Sequence, residues 1–168
     1  IEASKRTASE GDRKAGAGRL RSALVVEDSE SEAEQLARYL QETNIHVTIH
    51  LQGEGALEQA ARLQPDVILL DLLMPNQSGW KVLSQLKADP RTREIPVIII
   101  SIVDERARGI AAGAAQYLVK PVSREGLWQA LRMVVLAPKA TREALVIVPN
   151  PQPVLPGALI LLAEDNEV

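Results

Sequence analysis

From residue 22 to about residue 137, short apolar runs alternate with amphipathic stretches. The runs are ALVV (23–26), IHVTI (45–49), DVILL (66–70), PVIII (96–100) and AQYLV (115–119). They are rich in β-branched residues and bounded by turn formers, the pattern of buried strands. Between them, apolar positions recur at helical spacing. Ala33, Leu36, Ala37 and Leu40 make one stripe, and Ala56, Leu57, Ala60 and Leu63 a second. Trp80, Leu83 and Lys87, with Val82 and Leu86, make a third. Leu127, Ala130, Leu131, Val134 and Val135 form a long last stripe behind the N-cap candidate Ser123. Gly113 has the place of a helix C-cap before the fifth run. Five strands alternating with five helices predict a doubly wound α/β fold, a parallel sheet with helices on both faces. Sheets of this kind gather their chemistry beyond the carboxyl ends of the strands, where strand order reverses.

The residues at those ends form a chemical set. Glu27 and Asp28 follow the first predicted strand, Asp71 the third, Ser101 the fourth and Lys120 the fifth. Alone, an acid after a strand reads as a helix cap or a solvated loop residue, and a lysine as surface. Together at one rim they read as a site. Carboxylates crowded together repel and require a cation at neutral pH. Oxygen-only ligands favour a hard ion such as Mg²⁺, which keeps waters and takes phosphate oxygens. A central carboxylate can act as a nucleophile and form an acyl phosphate. The lysine and the hydroxyl can hold the transferred oxygens. The rim therefore points to phosphoryl chemistry on an aspartate.

The stretch DVILLDLLMPNQSGWKVL resembles the phosphoacceptor segment of bacterial response-regulator receiver domains. Asp71, Met74, Pro75 and Gly79 match its D-x-x-M-P-x-x-x-G pattern. YLVKPV resembles the segment with that family's invariant lysine, here Lys120 before Pro121. VVEDSE resembles the acidic pair, and VIIIS puts Ser101 where the family has Ser or Thr. The likeness covers about residues 22–137. It implies a five-stranded sheet of flavodoxin-like order 2-1-3-4-5. It implies that Asp71 accepts a phosphoryl group from a phosphohistidine on a partner histidine kinase or histidine phosphotransfer domain. Glu27, Asp28 and Asp71 would bind Mg²⁺ directly or through water, with the backbone carbonyl of Leu73 as a further ligand. Lys120 would contact the phosphoryl oxygens, across a Lys–Pro bond that is commonly cis in the family. Ser101 would hydrogen-bond the phosphoryl group. Tyr117 holds the aromatic switch position, turning inward as Ser101 moves and changing the face around the fourth helix and fifth strand. Two features depart from the pattern: the acidic pair begins with the longer Glu27, and the fourth-helix segment IVDERARGIAAG is short. Met74 and Pro75 are read as loop-shaping, and Trp80 and Trp128 as packing anchors.

Composition narrows the picture. The chain has 168 residues, 46% of them apolar, enough for one cored domain with extensions. The formal net charge of −3 gives no argument for a nucleic-acid partner. Without cysteine there are no disulfides or thiolate metal sites. His46 and His50 share a strand face, but no third metal ligand lies near them, so they read as surface strand. No segment is apolar enough to span a bilayer, and nothing resembles a signal peptide. The expected location is cytoplasmic, within a parent protein that could itself be membrane-anchored. A first residue of Ile1 suggests a piece of a longer chain.

Residues 1–21 carry Lys5, Arg6, Arg13, Lys14, Arg19 and Arg21 without apolar period and read as a linker. The receiver-like unit is set at 22–138. Residues 139–157, with Pro149, Pro151, Pro153 and Pro156, read as a stiff inter-domain linker. Residues 158–168, ALILLAEDNEV, repeat the order strand, acidic pair, polar cap: Glu164 and Asp165 echo Glu27 and Asp28. They read as the truncated first strand of a second receiver, as in hybrid sensor histidine kinases with tandem receivers. Such a lone strand, 158–163, would be disordered, pair with a sheet edge, or exchange between chains in a dimer.

Competing functions are a degenerate receiver that docks partners without phosphorylation, an aspartate phosphohydrolase and a regulator with a DNA-binding output. The intact rim opposes the first. Phosphohydrolases of the haloacid dehalogenase type carry a second Asp two residues after the nucleophile, where this chain has Leu73, so turnover of a separate substrate is not expected. No DNA-binding domain is present in the sequence.

Overall fold

A computed structural model of the chain describes residues 20–75 and 77–137. Most of the predicted N-terminal linker, the Pro-rich linker and the repeated strand with its proposed dimer contact lie outside the described residues. The elements run β1 (Ser22–Val26), α1 (Glu30–Gln41), β2 (His46–His50), α2 (Ala56–Leu63), β3 (Val67–Asp71), α3 (Gly79–Ala88), β4 (Val97–Ser101), α4 (Arg106–Ala111), β5 (Gln116–Val119) and α5 (Arg124–Leu136). All strand pairs are parallel, in the order β2-β1-β3-β4-β5.

The period of two along each strand divides the core between the two faces of the sheet. Leu24, Val26, Ile68, Leu70, Val97 and Ile99 point to one side, against α2 and α3. Ala23, Val25, Val67, Leu69, Ile98 and Ile100 point to the other, against α1 and α5. The central strands β3 and β4 are buried at every residue, and so read as unbroken apolar runs. The outer strands differ from the buried strands expected of them: β2 is half-exposed or exposed throughout, and in β5 only Tyr117 is buried. Each has a neighbour on one side only, which the strand order decides and a local pattern does not. His46 is exposed and the His50 ring nitrogen Nε2 bonds the Glu54 carbonyl at 2.7 Å, consistent with surface strand.

Helix starts follow local chemistry. Ser29, Ser78 and Ser123 cap α1, α3 and α5 by accepting from the backbone amides of Glu32, Trp80 and Gly126. Gly113 ends α4 with φ +95°, the left-handed conformation that glycine takes at least cost. The stripes of α1 and α5 are buried as predicted, except that Val135 is half-buried. On α2 the stripe is narrower than predicted, because Leu63 in the last turn is 39% exposed. Lys87 keeps its place in the α3 stripe through its stem, and its ammonium donates to the carbonyls of Arg93 and Ile95. Trp80 and Trp128 pack against opposite cores, as anchors should.

Candidate functional site at the carboxyl edge of the sheet

Register places the acids. Val26 of β1 stands opposite Leu70 of β3, so Glu27 and Asp71 come next on adjacent strands. This is where the chain order reverses, with β2 on one side of β1 and β3 on the other. Ligand oxygens of Glu27, Asp28 and Asp71 all lie within 4.8 Å of one another. Glu27 and Asp71 are buried and Asp28 is exposed, so the cluster opens outward through Asp28.

Ser101 of β4 stands opposite Val119 of β5, and the next residue, Lys120, donates its amide to the Ser101 carbonyl at 2.8 Å. The Lys120–Pro121 peptide is cis. The Lys120 ammonium reaches inward, donating to Glu27 Oε2 at 2.9 Å and Asp71 Oδ2 at 3.0 Å. It also pairs with the Glu32 carboxylate. Burial alone would push the ammonium's pKa down. The carboxylates of Glu32, Glu27 and Asp71 more than offset that and hold it above the ordinary lysine range. For Glu27 burial is the leading influence. It raises the carboxyl above its ordinary value, aided by Asp71 and opposed by Lys120 and the Ser29 amide.

The backbone around Asp71 is shaped to present it. Leu73 N–H donates to Asp71 Oδ1 at 2.9 Å, fixing one carboxylate oxygen and the peptide two residues on. Gly79 N–H donates to the Leu72 carbonyl, and α3 begins directly against this loop. A Cβ at Gly79 would lie 2.1 Å from the Asp71 carbonyl oxygen, so the fourth fixed position of the motif must be glycine. Met74 is buried in the core beneath.

Ser101 is fully buried, and its Oγ accepts from Val103 N–H at 3.2 Å. Among the described residues no hydrogen bond joins it to Asp71. Tyr117 is 1% exposed, with its ring turned into the core. Its hydroxyl donates to the Val103 carbonyl and accepts from Glu105 N–H. Room for the ring comes from Gly109 of the six-residue α4, where a Cβ would meet Tyr117 Cδ2 at 2.6 Å. The residue that sequence reasoning missed is Glu32. Its position three after Ser29 fits a helix capping box, which hides any longer-range role.

The carboxylate pair beside an ammonium, at a sheet edge, is an arrangement for handling a phosphoryl group. Residues 23–132 match the model of the response regulator receiver domain. The chain is 39% identical over 127 residues to the response regulator PleD of Caulobacter vibrioides, covering 74% of this chain and 27% of PleD. It is 34% identical over 115 residues to protein PilH of Pseudomonas aeruginosa, covering 67% of this chain and 95% of PilH. Thus it spans about a quarter of PleD and nearly all of PilH. Among solved structures, Vibrio cholerae chemotaxis protein CheY4 superposes with a TM-score of 0.64 at 27% identity, over 69% of this chain and 99% of that one. The signal receiver domain of a signal transduction histidine kinase from Syntrophus aciditrophicus superposes with a TM-score of 0.62 at 30% identity, over 68% and 89%. The chain belongs to the response regulator receiver domain family, a family of two-component signal transduction.

Proposed function

We propose that Asp71 is the phosphoacceptor of this chain. The observation that carries the reading is the buried Asp71 carboxylate, one oxygen fixed by the Leu73 amide and the other by the Lys120 ammonium. In the proposed transfer an Asp71 carboxylate oxygen forms a bond to phosphorus as the phosphorus–nitrogen bond of a partner's phosphohistidine breaks. The imidazole leaves with that electron pair. Lys120 supplies positive charge to the phosphoryl oxygens, and Ser101 supplies a hydroxyl donor to them once it leaves Val103 N–H.

The acidic cluster fits a divalent ion: its donors are all oxygens, their spacing suits one shared ion, and the exposed Asp28 leaves it open to solvent. Glu27, Asp28 and Asp71, with the Leu73 carbonyl, would hold Mg²⁺. Bound there, Mg²⁺ would neutralise the crowded carboxylates and the charge of the incoming phosphoryl group. Glu27 is the longer member of the acidic pair and is already engaged by Lys120 and the Ser29 amide, which favours action on the ion through a water.

The partner is proposed to be a histidine kinase or a histidine phosphotransfer domain. The parent protein is proposed to be a bacterial hybrid histidine kinase with tandem receivers, working in the cytoplasm. The repeated acidic phrase at Glu164–Asp165 and the likeness to a solved kinase receiver domain support this. Among the described residues no helix is long and apolar enough to cross a membrane.

Intact-protein mass after incubation with acetyl phosphate tests the central reading. Wild type should gain one phosphoryl group with Mg²⁺ and none with a chelator, and Asp71→Asn should gain none. Absence of any gain in wild type would replace the phosphoacceptor with a docking module.

A further inference from the structure

An ammonium has three N–H donors. On Lys120 they face three carboxylates: Glu27, Asp71 and Glu32. A phosphodonor approaching the Asp71 carboxylate can take a Lys120 donor only if one of these partners gives way. Glu27 and Asp71 cannot withdraw, since their side chains are 2% and 5% exposed and fixed at the ends of β1 and β3. Glu32 is 47% exposed, in the first turn of α1.

A second observation concerns the helix cap. In a capping box the glutamate three residues after the cap accepts the cap residue's own N–H. Here Ser29 Oγ accepts from Glu32 N–H, but Ser29 N–H goes to Glu27 Oε1 at 3.1 Å. Glu27 has taken the hydrogen bond that Glu32 would make locally. The Glu32 carboxylate is left to reach Lys120 across the mouth of the site. It lies on the wall of a cleft of about 310 Å³ that Lys120, Gln35, Ile102 and Pro121 also line, so a displaced carboxylate has space to move into.

We propose that Glu32 is a positioning residue that holds the outer donor of Lys120 and yields it to a phosphoryl oxygen of the incoming phosphodonor before transfer to Asp71. This rests on the phosphoacceptor reading of Asp71. Glu32 then acts as an internal competitor of the phosphodonor. It weakens donor engagement and leaves the saturated rate of transfer unchanged.

The test is the rate of Mg²⁺-dependent phosphorylation against acetyl phosphate concentration, for wild type, Glu32→Gln and Glu30→Gln. Gln keeps the size of Glu32 and its backbone N–H to Ser29, and circular dichroism melting checks that the fold is kept. Glu30 lies in the same helical turn and forms no ion pair with Lys120 among the described residues, so its variant measures the loss of one nearby charge. Glu32→Gln should lower the half-saturating acetyl phosphate concentration about two- to fivefold, the range for a half-exposed ion pair, with the saturated rate unaltered. Glu30→Gln should match wild type. Equal shifts in both variants would reduce the effect to general repulsion and overturn the proposal. So would a Glu32→Gln variant that behaves as wild type or changes only the saturated rate. Failure of wild type itself to take up phosphate would instead overturn the phosphoacceptor reading, and this inference with it.

Discussion

At the scale of single residues, the site is a balance of burial against charge. Glu27 is buried beside Asp71, and only Lys120 and one backbone amide compensate it. Its carboxyl therefore titrates above the ordinary 4.5 in the folded state. The native state holds that proton more tightly than the unfolded chain does. The stability this group contributes is thus greatest below its unfolded value. It falls as pH rises through the folded value, and the cost is fully present above it. In the presence of a chelator, Glu27→Gln should be more stable than wild type at neutral pH, and the gap should close as pH falls toward 4.5. Calorimetric melting of both proteins from acid to neutral pH measures this. A gap that widens toward low pH would contradict the burial argument.

At the scale of elements, the β4–α4–β5 region is tied together by one ring. Tyr117 of β5 fills the space that Gly109 leaves in α4, and its hydroxyl binds the backbone between β4 and α4 at Val103 and Glu105. Ser101 bonds the same Val103 through its amide. Movement of Ser101 thus reaches Tyr117 through a single residue. The family resemblance predicts a ring that turns inward as Ser101 moves toward a phosphoryl group; in this structure the ring is inward, held by both hydrogen bonds, while Ser101 Oγ still accepts from the Val103 amide. Gly109→Ala would put a methyl group 2.6 Å from Tyr117 Cδ2 and 2.9 Å from Ile99 Cδ1. It should cost about 1–3 kcal/mol in urea unfolding, the range for overpacking a filled core. It should also move the Tyr117 ring resonances in NMR spectra. An unchanged stability with unchanged ring resonances would show that α4 can shift away as a unit.

At the scale of the whole molecule, the sheet order brings distant residues to one edge. Glu27, Asp71 and Lys120 meet there although the first and last are 93 positions apart. A ligand that binds this edge only in the folded state must stabilise the whole domain. Mg²⁺ at 100 times its dissociation constant should add about 2.7 kcal/mol to unfolding and raise the melting temperature. Thermal melting with Mg²⁺ and with chelator tests this, and Asp28→Ala should lose most of the gain. A melting temperature indifferent to Mg²⁺ would remove the ion from the proposed mechanism.

The sequence by itself determined the element order, because strand and helix periods are local. It also determined the chemical set at the strand ends, because Glu27, Asp28, Asp71, Ser101 and Lys120 each follow an apolar run. The motif around Asp71 carried its glycine for a reason that only close approach reveals: Gly79 touches the Asp71 backbone. Tertiary structure alone decided the rest. Strand neighbours made β2 and β5 half-exposed edges where their local patterns resembled the buried runs. Packing between α4 and β5 placed the Tyr117 ring in the core although the rest of β5 is only half-buried. The route of Glu32 to Lys120 depends on which acid takes the Ser29 amide. That is settled by the meeting of β1, α1 and the end of β5, a juxtaposition with no local signature, since charged side chains choose partners by distance in space.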